Sequence, residues 1–163
     1  MIEMKLRSVT MFENVDLKAL DVIDTLSERH GTMRNIVESK TNQINDINVN
    51  SSEWYIMAMI YNQTLTFSEI AHKVNLTRQA IHKSVKQLEK KELVIIDSMT
   101  NNKKEKCVTL TSYGSACFDS YISCKQTLEQ HIESIIGKEQ FQIFKTILQQ
   151  DWHLTEFKNK NEI

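Results

Sequence analysis

No proline interrupts this chain, and glycine occurs only at Gly31, Gly114 and Gly137. These two residue types are the ones that end or turn helices and strands. A chain nearly without them folds into long uninterrupted elements, so the prediction is a mostly helical protein. Its 163 residues suit one domain, and 40% hydrophobic residues supply that domain with a core.

The apolar spacing locates the helices. Ala19, Leu26 and Met33 recur every seven residues, as do Ile23, Val37 and Ile44, with His30 filling the gap. This predicts helix over about 13–47, either one long helix or two that meet at Gly31. Residues 48–52 are a polar break. Asn50 with Glu53 forms an N-cap pair opening a helix to about Tyr61, apolar along Trp54, Met57, Ala58 and Tyr61. Thr66 and Glu69, in T-F-S-E, open a short helix that ends near Val74. Asn75 and Leu76 make a tight connection, and Thr77 caps a helix from Arg78 to about Lys91. Two short helices joined by a tight turn form a helix-turn-helix.

The run LVIIDS (93–98) is β-rich, MTNNKKE (99–105) is turn-prone, and KCVTLT (106–111) alternates in polarity. A β-hairpin, or wing, is predicted there. A long helix then runs from Ser112 to about Ile136 and stops at Gly137. A further helix over 138–153 carries Phe141, Phe144, Ile147, Leu148 and Trp152. From Leu154 the chain is polar and predicted to fray.

Charge is distributed unevenly. The whole chain has a formal charge of −1, yet residues 66–106 hold nine Lys/Arg against five Asp/Glu, which is +4 locally and leaves −5 elsewhere. On a helix turning about 100° per residue, Ile81, Val85 and Leu88 share one face. Gln79, Lys83, Lys86 and Lys90 fall opposite, with His82 beside them and Arg78 at the first turn. Lysine and arginine neutralise phosphates and release counterions. Arg78 can bond guanine at two edges, and Gln79 can do so at adenine. Free N–H groups behind Thr77 favour a phosphate. A merely solvated charged face is the plain alternative. The caps, the tight turn, the hairpin and the local charge favour nucleic acid.

With those elements in order, residues from about Ile47 to Trp152 resemble the MarR family of bacterial transcription regulators. SSEWYIMAMI looks like the family's second helix, and LTFSEIAHKVNLTRQAIHKSVKQLEKKELV like its helix-turn-helix. CVTLTSYG looks like its wing strand and the Leu-Thr-x-x-Gly turn into a long helix. The resemblance implies a winged helix-turn-helix lobe over about 52–111, with dimerisation helices at about 13–50 and 112–153 and a tail at 154–163. It implies a homodimer on a pseudo-palindromic duplex operator, its half-sites about 34–36 Å apart. It also implies a repressor relieved by a small ligand, often an aromatic anion, or by an oxidant. The residues it places on DNA are Thr66, Ser68, Thr77, Arg78, Gln79, His82, Lys83 and Lys86, with Asn102, Lys103 and Lys104 in the wing. This sequence departs from the pattern twice. Asn102 and Lys104 stand where Asp-x-Arg is common, and Glu92 stands where glycine is common. A non-glycine residue there either carries a left-handed cost of roughly 1 kcal/mol or ends the helix differently.

Cys117, Cys124 and His131 are spaced by seven and interleave with Tyr121, Leu128 and Ile135. They are candidates for a redox or soft-metal sensor, although a packed seam is the more ordinary use of free cysteine. No HExxH or tight Cys/His cluster occurs, so neither metal nor cofactor is expected. No P-loop, GxSxG or GxGxxG motif occurs, and an enzyme is not expected. The alternatives are a winged-helix module that binds protein and a thiol-based redox protein. The odd cysteine count, the absence of an apolar segment of about 18 residues and an N-terminus unlike a secretory signal predict a cytoplasmic protein.

Overall fold

A computed structural model describes residues 16–74, 77–99 and 102–161. It is mostly helical with one small antiparallel sheet, as the scarcity of breakers predicts. A short 3-10 helix, Leu17–Ala19, precedes α1 (Val22–Asn45). Gly31 leaves α1 unbroken, so the predicted helical stretch is one long helix from Val22 onward; residues 13–15 lie outside the described set. Asp46 ends α1 in the left-handed region at φ 50°. The Asn42 side chain then latches the following loop, donating to the Val49 carbonyl at 2.9 Å and accepting from the Val49 N–H at 3.2 Å.

Both predicted capping boxes form. Asn50 opens α2 (Ser51–Ile60), with reciprocal bonds to Glu53 at 2.9 and 3.0 Å. Thr66 opens α3 (Phe67–Val74), with Glu69 accepting from the Thr66 N–H at 2.8 Å. Just before α3, Leu65–Thr66 forms a strand, β1, that the sequence did not reveal. Asn75 and Leu76 lie outside the described residues. Thr77 caps α4 (Arg78–Lys90), accepting from the Ala80 N–H at 3.2 Å.

The wing is β2 (Val94–Met99) and β3 (Asn102–Leu110), in a sheet of order β1-β3-β2. Leu110, Val108 and Lys106 sit opposite Val94, Ile96 and Ser98. The register then shifts to Met99 opposite Asn102, leaving residues 103–105 as extra length on β3. The segment 99–105, predicted to be a turn, is therefore largely strand in its described residues, with a register shift between Ser98 and Met99.

Glu92 resolves one of the two departures from the family pattern. It adopts φ 59°. Leu93 N–H bonds the Leu88 carbonyl at 3.0 Å and Glu92 N–H bonds the Glu89 carbonyl at 2.9 Å, the two bonds of a Schellman ending. Leu88 and Leu93 are both fully buried. α4 thus ends as a glycine would end it, with the left-handed cost borne by glutamate.

α5 (Ser112–Ile136) follows at the predicted limits. The Thr111 hydroxyl donates to the Glu92 carbonyl at 2.7 Å and accepts from the Gly114 N–H at 2.8 Å. A Cβ at Gly114 would lie 2.0 Å from the Leu93 carbonyl oxygen, so this close crossing requires glycine.

The chain divides into two compact units, Met1–Lys125 and Gln126–Ile163. The core of the first contains Trp54, Ile56, Met57, Ile60, Ile70, Ile81, Val85, Leu88, Leu93 and Val108, each at most 1% exposed. Burying each aliphatic side chain of this set contributes about 1.5–3 kcal/mol, which fixes α3 and α4 against α2 and the sheet. The second unit contains α6 (Lys138–Gln149) and α7 (Leu154–Asn161). α6 is shorter than predicted because Gln150 is extended, and the Trp152 indole N–H returns to the Ile147 carbonyl at 2.9 Å. The polar segment from Leu154 is helical rather than frayed. Asp151 accepts from the His153 N–H at 2.8 Å, and the His153 carbonyl accepts the first helical bonds.

Candidate nucleic-acid interface

α4 separates its residues by chemistry. Ile81, Val85 and Leu88 are fully buried, whereas Arg78, Gln79, His82, Lys83, Lys86 and Lys90 are exposed. The buried stripe holds the helix, and the opposite side offers cations, an amide and an imidazole. Thr77 is exposed at the helix start, its hydroxyl engaged in the cap. Lys86 pairs with Glu89 at 2.7 Å across exposed surface, a contact worth little in water. His82 is held more firmly. Its ring stacks on Phe67, centroids 4.2 Å apart and planes at 11°.

The remaining predicted residues divide. Ser68 is exposed in the first turn of α3. Thr66 is 7% exposed, and its hydroxyl both donates to and accepts from Glu69, so it caps α3 rather than facing outward. These bonds from the Thr66 backbone and hydroxyl hold the Glu69 carboxyl below its ordinary pKa. Asn102, Lys103 and Lys104 belong to β3 by backbone; their side chains lie outside what the structure describes.

One cation of the basic stretch serves another purpose. Lys91 reaches the Glu53 carboxylate at 2.7 Å, and Glu53 is 1% exposed. By sequence alone Lys91 is one of the nine cations of residues 66–106. The signal for its partner was present, since Glu53 is the capping glutamate of an apolar helix and is carried into the core with it.

Cys117 is fully buried, and burial pushes its thiol up, against a smaller opposite effect from its hydrogen bond with Tyr113. That environment favours the inert thiol over the reactive thiolate. Cys124 is half-buried in the first unit and His131 is exposed in the second. Among the described residues, no group of three or more His, Cys, Asp or Glu is placed to hold a metal ion. Trp54 is a core residue stacked on Tyr121 at 4.6 Å, and Tyr61 donates to Asp119 at 2.6 Å. Tyr55 instead lines a cavity of about 240 Å³ with Arg34 of α1, Ser51 and Ser52 of α2, and Val74 of α3. Ser51 also donates to the buried Glu38 carboxylate at 2.6 Å. Among the described residues, no helix is long and apolar enough to cross a membrane.

Comparison with known proteins agrees with this geometry. The sequence model of the MarR family matches residues 47–98, from the end of α1 to the first wing strand. The HTH-type transcriptional regulator FarR of Neisseria gonorrhoeae is 24% identical over 106 residues, 64% of this chain and 73% of that protein. Among solved structures, MepR, a transcription regulator of the Staphylococcus aureus multidrug efflux pump MepA, superposes with a TM-score of 0.66 at 18% identity, covering 79% of this chain and 94% of MepR. A point mutant of MepR bound to an oligodeoxyribonucleotide gives 0.59 at 20% identity over the same shares. NadR in complex with 4-hydroxyphenylacetate gives 0.57 at 20% identity, covering 86% and 95%. The winged helix-turn-helix, its order of elements and the matched segment support a winged-helix transcription regulator similar to the MarR family.

Proposed function

We propose that this protein is a homodimeric repressor that reads a pseudo-palindromic duplex operator with the exposed side of α4 and is released by a small aromatic ligand. The observation that carries the reading is the side of α4 bearing Arg78, Gln79, His82, Lys83 and Lys86, exposed together while Ile81, Val85 and Leu88 are buried. In a helix-turn-helix the first residues of the second helix reach base edges. Arg78, Gln79 and His82 take that role here, and Lys83 and Lys86 contact phosphate. Thr77 and Ser68 flank the helix as phosphate ligands, and the wing residues Asn102, Lys103 and Lys104 add backbone contacts. The oligodeoxyribonucleotide on the MepR mutant is consistent with this use of the fold.

Dimerisation is supported by exposed apolar surface. Ile143, Phe144, Ile147 and Leu148 are 40–53% exposed on successive turns of α6. Such patches mark interaction surfaces. Release by ligand is supported by the cavity beside α2, where the Arg34 guanidinium can pair an anion and Tyr55 offers a ring. NadR carries 4-hydroxyphenylacetate, an anion of that kind. The environment of Cys117 favours ligand over oxidant. The protein acts in the cytoplasm on this reading.

Titration of the purified protein into duplex DNA from upstream of its own gene tests the proposal. Saturation at two protomers per site, reversed by an aromatic carboxylate, is the expected result. Saturation at one protomer, or no binding at low salt, contradicts it.

A further inference from the structure

The stack of Phe67 on His82 joins the first residue of α3 to the exposed side of α4. Phe67 is half-buried and packs against the core, so its ring has a fixed base. His82 is exposed, one helical turn beyond Arg78. A parallel ring at 4.2 Å covers one face of the imidazole and fixes its plane. A histidine on a bare helix surface samples several rotamers and loses that freedom on binding. The stack on Phe67 restricts that freedom before DNA is met and leaves the ring edge to present its nitrogens. A neutral imidazole has one donor and one acceptor nitrogen. Such an edge matches the hydrogen-bonding groups that bases display in the major groove.

Resting on the proposed reading of duplex DNA, we propose that Phe67 is a specificity-determining positioning residue: it holds the His82 imidazole edge-on to the major groove, so that His82 reads one hydrogen-bonding base edge per half-site. Phe67 itself acts through His82. Its removal therefore erases selectivity at one position and leaves the rest of the recognised sequence unchanged. A residue that merely supports α3 would weaken binding at every position alike.

The test selects preferred sequences from a pool of randomised duplex DNA with the wild-type protein. Affinity for each single-base replacement of that sequence is then measured with wild type, His82→Ala, Phe67→Leu and Phe67→Tyr. His82→Ala is expected to lose about tenfold in selectivity at one base pair of each half-site. Phe67→Leu is expected to lose the same selectivity at the same base pair, and Phe67→Tyr, which keeps the stack, to retain it. Thermal melting verifies that the variants fold, and Phe67→Met replaces Phe67→Leu if the latter does not. Selectivity kept by Phe67→Leu where His82→Ala loses it overturns the proposal, as does a uniform loss at all positions or no loss in His82→Ala. If the wild-type protein selects no sequence at all, the DNA-reading assignment itself fails and this inference falls with it, an outcome distinct from the others.

Discussion

The Lys91 ammonium lies 2.7 Å from the Glu53 carboxylate, tying the C-cap of α4 to the first turn of α2. The same carboxylate oxygen accepts the Asn50 N–H at 2.9 Å. One side chain thus caps α2 and anchors α4. Lys91→Met leaves a buried carboxylate without its counter-ion. Breaking a buried pair is costly, and Lys91 keeps 28% exposure, so the loss is about 2–3 kcal/mol. Urea unfolding measures it, and adding Glu53→Gln should recover part of it. A change within about 0.5 kcal/mol in the single variant would show the pair to be idle.

The crossing of the α4 terminus with the start of α5 predicts opposite outcomes at two neighbouring positions. Glu92 sits at φ 59°, so Glu92→Gly should stabilise by about 0.5–1 kcal/mol, less whatever entropy glycine adds to the unfolded chain. Gly114→Ala would force a methyl against the Leu93 carbonyl and should cost about 3 kcal/mol. Melting temperatures that move the other way at either position would refute this account of the junction.

The Thr66–Glu69 box predicts an acid-side pH dependence. Hydrogen bonds from Thr66 lower the folded-state pKa of Glu69, so the unfolded chain takes up the proton first as pH falls. The stabilisation is complete above the ordinary glutamate pKa, about 4.5, and is lost as pH falls through the depressed folded value. Glu69→Gln should flatten the stability profile in that window and leave its shape near neutral pH unchanged. Equal slopes for the two proteins below pH 4.5 would exclude a contribution from the box.

Phe144→Glu with Ile147→Glu places charges in the exposed apolar row of α6. Sedimentation should find wild-type dimers and variant monomers, with operator affinity falling accordingly. A variant that sediments as a dimer would move the interface elsewhere.

Local chemistry was readable in the sequence; distant pairing was not. The caps at Asn50, Thr66 and Thr77 rest on bonds spanning three residues, and all three form. β1 is two residues long and exists only because Leu65 and Thr66 pair with Val108 and Cys107, far along the chain. Lys91 looked like its neighbours until Glu53, 38 residues earlier, was placed beside it. The stack of Phe67 on His82 leaves no trace in the sequence, because a contact between two helices has no periodicity. The wing was legible as a hairpin, whereas the register shift that lengthens β3 depends on cross-strand bonds that composition does not encode.

If the exposed side of α4 is the surface that meets DNA, the salt dependence of binding shows it most directly. Each lysine–phosphate contact contributes about 0.9 to the slope of log affinity against log salt. Lys83→Ala with Lys86→Ala removes two such lysines from each protomer without touching the buried stripe. The double variant should fold, bind the operator more weakly and show a slope reduced in magnitude by between about 2 and 4 across the dimer. A folded variant with unchanged affinity and an unchanged slope would contradict it.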